Sequence, residues 1–301
     1  MRPFWLEQAL QNEAIAPSPL LGDTTADACI VGGGFTGLWT AIHLKRTRPD
    51  VDIAILEADV CGAGASGRNG GCVLSWSTKF FTLRRLFGKT EAVRLVKASE
   101  QAILDIEGFC KEQRIDAEFR RDGTLFTATN EAQVGSTDAV IAALEAHGIS
   151  SFERLTPAQV ADRAGSRKHL AGVFSPNAAT VQPALLVRGL RRVAIDMGVR
   201  VYEKTPMRRL VGKGQPLAVE TPSGVVRARK VVVAINAWMA RQFPEFERTI
   251  AIVSSDMVVT EPRLDLLEKI GLTSGVAVLD SRTFVHYYRT TPDGRMTGKG
   301  R

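Results

Sequence analysis

The first strong hydrophobic pattern in the chain is the short apolar run at 26–31, Ala-Asp-Ala-Cys-Ile-Val, which stops at three consecutive glycines. A continuous apolar run bounded by turn residues predicts a buried strand. Over 36–47 the period changes, and Leu38, Ala41, Ile42 and Leu44 fall on one side of a helix. Pro49-Asp50 breaks that helix, and 51–56 predicts a second strand. Strand, glycine turn, helix and strand within about 30 residues make a βαβ unit, whose crossover requires the two strands to be parallel.

Residues 1–25 read as irregular. The stretch 58–78 is rich in glycine and serine yet lies between ordered elements, which predicts a loop wrapped closely around a ligand. Helical spacing of Ala92, Leu95, Val96, Ala102, Ile103, Ile106 and Phe109 predicts a helix over 90–114, and 131–147 reads as another, with an alternating strand at 123–129 between them. Thr156 and Pro157 suit the cap and first turn of a short helix. A helix from Pro183 to Gly198 leads into a strand at 199–203, followed by alternation over 207–220, a turn at Pro222-Ser-Gly224 and strand to Arg229. Residues 231–235 predict a further buried-type strand, and the tail alternates around 276–279 and 283–288.

At 301 residues, with 45% hydrophobic and 24% charged positions, the chain can bury a sizeable core without disulfides or a structural metal. That composition excludes disorder, collagen-like repeats and coiled coil as its main character. A net charge of +7 points at first to nucleic acid. Residues 1–150 hold 15 Lys+Arg against 19 Asp+Glu, however, and 151–301 hold 24 against 13. The excess is scattered as Arg191-Arg192, Arg208-Arg209 and Arg227 with Arg229-Lys230, not as the block of a nucleic-acid arm. Solvated surface arginines are the plain reading; a basic substrate funnel or an acidic membrane surface are the others. Cys29, Cys61, Cys72 and Cys110 match neither a disulfide framework nor a zinc site, so a reduced cytoplasmic protein is expected. The N-terminus lacks the apolar region of a signal peptide, and no window is long and apolar enough to predict a transmembrane helix.

Gly32, Gly34 and Gly37 satisfy G-x-G-x-x-G directly after a strand and at the start of a helix. The first glycine permits the tight turn, the second lets a pyrophosphate approach the backbone, and the third lets helix and strand pack closely. Phe35 and Thr36 open the helix, whose free N–H groups and positive dipole end attract phosphate. Glu57 ends the second strand, where an acidic side chain accepts hydrogen bonds from ribose hydroxyls and repels a 2′-phosphate. NAD and FAD remain. The second small-residue loop, Gly62-Ala-Gly-Ala-Ser-Gly-Arg-Asn-Gly-Gly71, favours FAD, because an NAD site needs only the βαβ unit for the adenosine half. In that loop Ser66 can bond a phosphate oxygen, and Arg68 can offset its charge or bond the flavin edge.

At these residues the chain resembles the D-amino-acid-oxidase superfamily of FAD-dependent amine oxidoreductases. Asp27-Ala-Cys-Ile-Val-Gly-Gly-Gly-Phe-Thr-Gly37 and Ile53-Ala-Ile-Leu-Glu-Ala58 match its dinucleotide fingerprint. Gly64-Ala-Ser-Gly-Arg-Asn-Gly-Gly71 resembles the flavin-wrapping segment of the gamma-glutamylputrescine oxidoreductase-like branch. So do Val181-Gln-Pro183, Glu203-Lys-Thr-Pro-Met207, Ala234-Ile-Asn-Ala-Trp238 and His286-Tyr-Tyr-Arg-Thr-Thr-Pro-Asp-Gly-Arg295. The resemblance implies an α/β fold in which a Rossmann-like FAD-binding domain (1–85, 150–205 and 230–242) is interleaved with a smaller α+β substrate domain built on a mixed sheet (86–149, 206–229 and 243–301). It implies FAD held by Gly32, Gly34, Phe35, Thr36, Gly37, Glu57, Ala58, Ala65, Ser66 and Arg68. Asn69, Gly70 and Gly71 would lie near the isoalloxazine, Met207 near the adenine, and Asn236 and Trp238 near the adenosine or pyrophosphate. Relatives of this kind continue past Thr-Pro-Asp-Gly into another strand, a glycine turn and a closing helix, so the resemblance also implies a chain shorter than the full enzyme.

The activity implied is oxidation of the C–N bond of a small amine, amino acid or gamma-glutamyl polyamine by hydride transfer to flavin N5, with no metal. A flavin-dependent RNA-modifying protein, suggested by the basic second half, and a cofactor-poor remnant without activity are the alternatives. Around the substrate the candidates are His286, Tyr287, Tyr288 and Arg289: His286 and Tyr288, the catalytic pair, share one face of a strand by period two, and Tyr287 and Arg289 the other. A tyrosine there could line an amine pocket. Trp76 and Lys79 are secondary candidates, and His43, His147 and His169 read as surface residues.

Overall fold

The computed structural model describes residues 2–11, 13, 16–212, 214–282 and 285–299. The chain forms two compact units, Met1–Asn69 with Ile115–Ala117 and Pro183–Ser254, and Gly70–Arg114 with Glu118–Gln182 and Ser255–Arg301.

The first unit is built on a six-stranded sheet in the order Arg200–Tyr202, Ile53–Leu56, Thr24–Val31, Gly224–Val233, Leu217–Thr221, Arg209–Val211. The first four strands run parallel and the last three form an antiparallel meander. Val31 sits opposite both Leu56 and Val233, so the three strands bring their C-terminal ends to one edge. The apolar runs explain the central positions: Cys29, Ile30, Val31 and all of Ile53–Leu56 are buried, as in strands covered on both faces. The helix Phe35–Thr47 buries Leu38, Ala41 and Ile42. Two expectations are corrected here. The N-terminal stretch carries a helix, Phe4–Leu10, whose Trp5, Leu6 and Ala9 pack against Val60, Ala63 and Ala184. And 231–235 is no separate buried strand: Val231, Val232 and Val233 are half-buried and end one ten-residue strand, Gly224–Val233.

The second unit carries a seven-stranded mixed sheet in the order Met257–Val259, Met296–Lys299, Tyr287–Thr290, Ala277–Asp280, Thr124–Ala128, Ala171–Ser175, Glu153–Arg154. Its one parallel pair among the described residues is Ala277–Asp280 with Thr124–Ala128. The helices Phe80–Phe87, Lys89–Glu112 and Asp138–Glu145 cover an apolar cluster containing Phe80, Val96, Ile141 and Val173. The helix Pro157–Ala164 opens with the capping pair Thr156 and Gln159. The helix expected over 131–147 is shorter because Gly135, at φ +76°, breaks the pattern before Asp138. The tail expectation at 283–288 lies partly outside the described residues; the strand there is Tyr287–Thr290.

Candidate functional site

The turn after the strand Thr24–Val31 is set by backbone crowding. Gly32 has φ +113°, and a Cβ on it would stand 2.4 Å from the Ala234 carbonyl oxygen. On Gly37 a Cβ would meet the Gly32 carbonyl oxygen at 1.9 Å. Only glycine fits either place. Helix Phe35–Thr47 therefore starts directly over the strand end, with its first N–H groups at the edge of a cleft of about 650 Å³. Gly32, Gly34, Phe35 and Thr36 line it from this side, and Glu57 and Ala58 from the end of the neighbouring strand. Ala65, Ser66 and Arg68 come from the second glycine loop, and Met207, Asn236 and Trp238 from the far side. Gly37 lies beneath the turn, outside the lining.

Several of these side chains are held before any ligand arrives. Glu57 accepts from the Gly33 N–H at 2.8 Å and from the Asp59 N–H at 2.9 Å. Burial pushes its carboxyl above the ordinary range, and those two N–H groups oppose the rise. The Ser66 hydroxyl accepts from the Phe35 N–H at 3.0 Å, so this loop serine caps the helix N-terminus. Arg68 donates to the Ala63 carbonyl at 2.6 Å. Asn69 stands outside the cleft lining: its amide donates to the carbonyls of Ala65 and Ser66, and its own carbonyl accepts from the Trp5 indole. Asn236 is held at φ +50°, and Trp238 is 57% exposed.

Gly70 and Gly71 belong to the second unit. A Cβ on Gly70 would stand 2.2 Å from the Tyr287 ring, and one on Gly71 would stand 2.0 Å from the Val181 carbonyl oxygen. Arg289, 1% exposed, donates through Nε to the Gly70 carbonyl at 2.7 Å and through Nη2 to the Val181 carbonyl at 2.6 Å. Burial holds its guanidinium below the ordinary range. Expected near substrate, Arg289 is instead a buried clamp on the end of the glycine loop. Tyr288 is also turned inward. Its hydroxyl donates to the Ala164 carbonyl at 2.6 Å and meets His169 Nε2 at 2.9 Å, while the ring packs on the cluster of Leu125, Val160 and Leu267. Burial pushes its phenol up to about 12. His286 is half-buried, with Nδ1 3.3 Å from an Arg282 nitrogen and its N–H on Asp280. His286 and Tyr288 belong to the second unit, and the residues lining the cleft belong to the first. His169, expected at the surface, is 9% exposed and bonded to Thr127 and Tyr288. Trp76 and Lys79 are exposed and line no part of the cleft.

Sequence reasoning missed the support under the second glycine loop. Glu203, fully buried, accepts from the Cys61 N–H at 2.6 Å and from Arg188 at 2.6 Å; Arg191 pairs with its other oxygen at 2.8 Å. Both arginines also reach Glu13. Burial alone would raise the Glu203 carboxyl, but Arg188, the Cys61 N–H and Arg191 hold it below the ordinary range. Arg191 is thus no surface arginine. The other pairs do lie at the surface, where Arg192, Arg209, Arg227 and Arg229 meet Asp196, Glu220, Asp23 and Asp27. Much of the second half's positive charge is therefore locally neutralised and forms no basic tract.

Comparison with known proteins places the chain among relatives of one family. A family model described as "DAO: FAD dependent oxidoreductase" matches residues 27–300. The chain is 28% identical to the probable oxidoreductase OrdL of Rhizobium meliloti, over 99% of this chain and 68% of that protein. It is 29% identical to gamma-glutamylputrescine oxidoreductase of Escherichia coli, over 93% of this chain and 66% of that one. Glycine oxidase from Geobacillus kaustophilus shares the fold with a TM-score of 0.72 at 21% identity, covering 91% of this chain and 70% of that chain. The chain spans about two thirds of the length of these curated relatives. No described helix is long and apolar enough to cross a membrane.

Proposed function

The chain belongs to the DAO family of FAD dependent oxidoreductases, and from that premise we propose that it oxidises the carbon–nitrogen bond of a small amine, an amino acid or a gamma-glutamyl polyamine. The observation that carries the reading is the cleft of the first unit, where the glycine turn, Glu57, the second glycine loop, Met207, Asn236 and Trp238 converge. The residues fit FAD. The cradle at Gly32 and Gly34 admits a phosphate where a side chain would meet the Ala234 carbonyl or the Ser66 hydroxyl. Each Glu57 oxygen already accepts one N–H and keeps a second lone pair for a ribose hydroxyl. Ser66, having accepted from Phe35, keeps its proton to donate to a phosphate oxygen. Met207 and Trp238 offer apolar surface to the adenine. We read the first unit as the FAD-binding domain and the second as the substrate domain; against the bounds expected from the sequence, 70–85 and 150–182 fall in the second unit, and 206–229 and 243–254 in the first. A cleft furnished in this way argues against a cofactor-poor remnant.

FAD, when bound, supplies the electron acceptor for hydride removal from the carbon beside the nitrogen. The chain's own part is orientation and exclusion of water. In the second unit His286 is the residue we assign to the amine, its ring set by the Arg282 guanidinium nitrogen 3.3 Å from Nδ1. Tyr288 is read as a packing residue, since its hydroxyl is engaged inside the unit. The four free cysteines support a cytoplasmic setting. Similarity to gamma-glutamylputrescine oxidoreductase supports the substrate class. The test is anaerobic mixing of the FAD-loaded chain with a panel of amino acids, secondary amines and gamma-glutamyl polyamines. Loss of the visible flavin absorbance with one class is expected; a loaded chain bleached by none of them would overturn the proposal.

A further inference from the structure

Lys79, Arg84, Arg85 and Lys89 stand within eleven residues, and no acidic residue occurs from 60 to 90. All four are exposed, and among the described residues none forms an ion pair, unlike many of the arginines elsewhere in the chain. Interleaved with them are Trp76 at 50% exposure, Phe81 at 40%, Leu86 at 61% and Phe87 at 56%. The segment is ordered: Phe80 and Leu83 anchor the helix Phe80–Phe87 in the core of the second unit, and Gly88 at φ +79° turns the chain into the helix Lys89–Glu112. Leu86 and Phe87 stand at that corner beside Lys89, and the Arg84 guanidinium lies over the Phe81 ring at 5.1 Å.

We propose that this corner is a docking surface for an anionic phospholipid bilayer, independent of the flavin reading. The charge is of one sign and unneutralised, which matches an acidic leaflet. Phe81 and Leu86 leave the helix on different sides, with arginines between them. A folded protein partner would need a complementary contour for such a surface. The headgroup region needs none: aromatic and aliphatic side chains enter it at the corner, while long cationic side chains keep their heads among the phosphates.

The test is co-sedimentation of the FAD-loaded chain with vesicles of phosphatidylcholine alone or with about 30% phosphatidylglycerol, at low and high salt. Binding to the anionic vesicles only, weakened about tenfold or more by high salt, is expected. The double variant Leu86→Ser, Phe87→Ser and the triple variant Arg84→Gln, Arg85→Gln, Lys89→Gln should each reduce that binding about tenfold, with the flavin spectrum unchanged. Should a variant fail to fold, quenching of Trp76 fluorescence by brominated lipid, lost in Trp76→Phe, gives the same answer in the otherwise unaltered chain. Absence of binding to anionic vesicles at low salt would overturn the proposal. Equal binding to both vesicle types, or binding indifferent to both variants, would do so too.

Discussion

Two residues, Gly37 and Glu57, test the proposed hold on FAD. A methyl group on Gly37 would stand 1.9 Å from the Gly32 carbonyl, so Gly37→Ala must push the helix Phe35–Thr47 off the strand beneath it. Overpacking of this kind costs about 1–3 kcal/mol, and the expected result in urea unfolding is a loss at the upper end of that range together with loss of bound FAD. Glu57 acts differently, because its carboxylate is partly engaged by backbone and is needed as a double acceptor. Glu57→Gln offers one oxygen and an amide that repels the N–H it faces. The FAD dissociation constant, followed by flavin fluorescence, should rise about tenfold to a hundredfold, equivalent to roughly 1.4–2.8 kcal/mol. An unchanged constant would remove Glu57 from the ribose.

At the scale of elements, the strand Tyr287–Thr290 grips the end of the glycine loop with the Arg289 guanidinium. Arg289 bonds carbonyls 219 and 108 residues away in sequence. Arg289→Met leaves both buried acceptors unmatched, at about 1–3 kcal/mol each. Arg289→Lys should rescue little, since an ammonium lacks the fork that reaches two carbonyls at once. Thermal unfolding of both variants checks this, and a lysine variant as stable as the parent would show that charge, not fork geometry, holds the loop. Such contacts also explain what was legible beforehand. The βαβ unit, the glycine turn and Glu57 could be read because glycine sterics and apolar period are properties of a few neighbouring residues. Arg191, His169, Tyr288 and Arg289 could not. Whether a polar side chain is buried depends on partners brought up from remote segments, such as Glu13 for Arg191, and no local pattern records them. The short helix Phe4–Leu10 escaped for a related reason: its three buried residues make sense only against Val60, Ala63 and Ala184, all remote in sequence.

For the whole molecule, the two units carry buried titrating groups that fail at different acidities. In the second unit, burial lowers the His169 imidazole. The unfolded chain takes up that proton near pH 6.5 while the folded unit resists it, so stability falls as the pH drops below about 6.5. In the first unit Glu203 is the sensitive group, and its folded value lies below the ordinary one. Its contribution is therefore complete above about pH 4.3, the ordinary glutamate value, and is lost as the pH falls through the lower folded value. Protonation there also leaves Arg188 and Arg191 buried with one carboxylate fewer, an arrangement that costs about 3–5 kcal/mol when a partner is removed. Acid should thus loosen the second unit first. Hydrogen exchange read by mass spectrometry along a descending pH series is expected to show protection falling around Thr127 and Ala164 before it falls around Cys61 and Arg188. His169→Gln should remove the first step and leave the second in place, and Glu203→Gln should weaken the first unit already at neutral pH. Simultaneous loss of protection in both units, unmoved by His169→Gln, would show that neither buried group sets the acid limit.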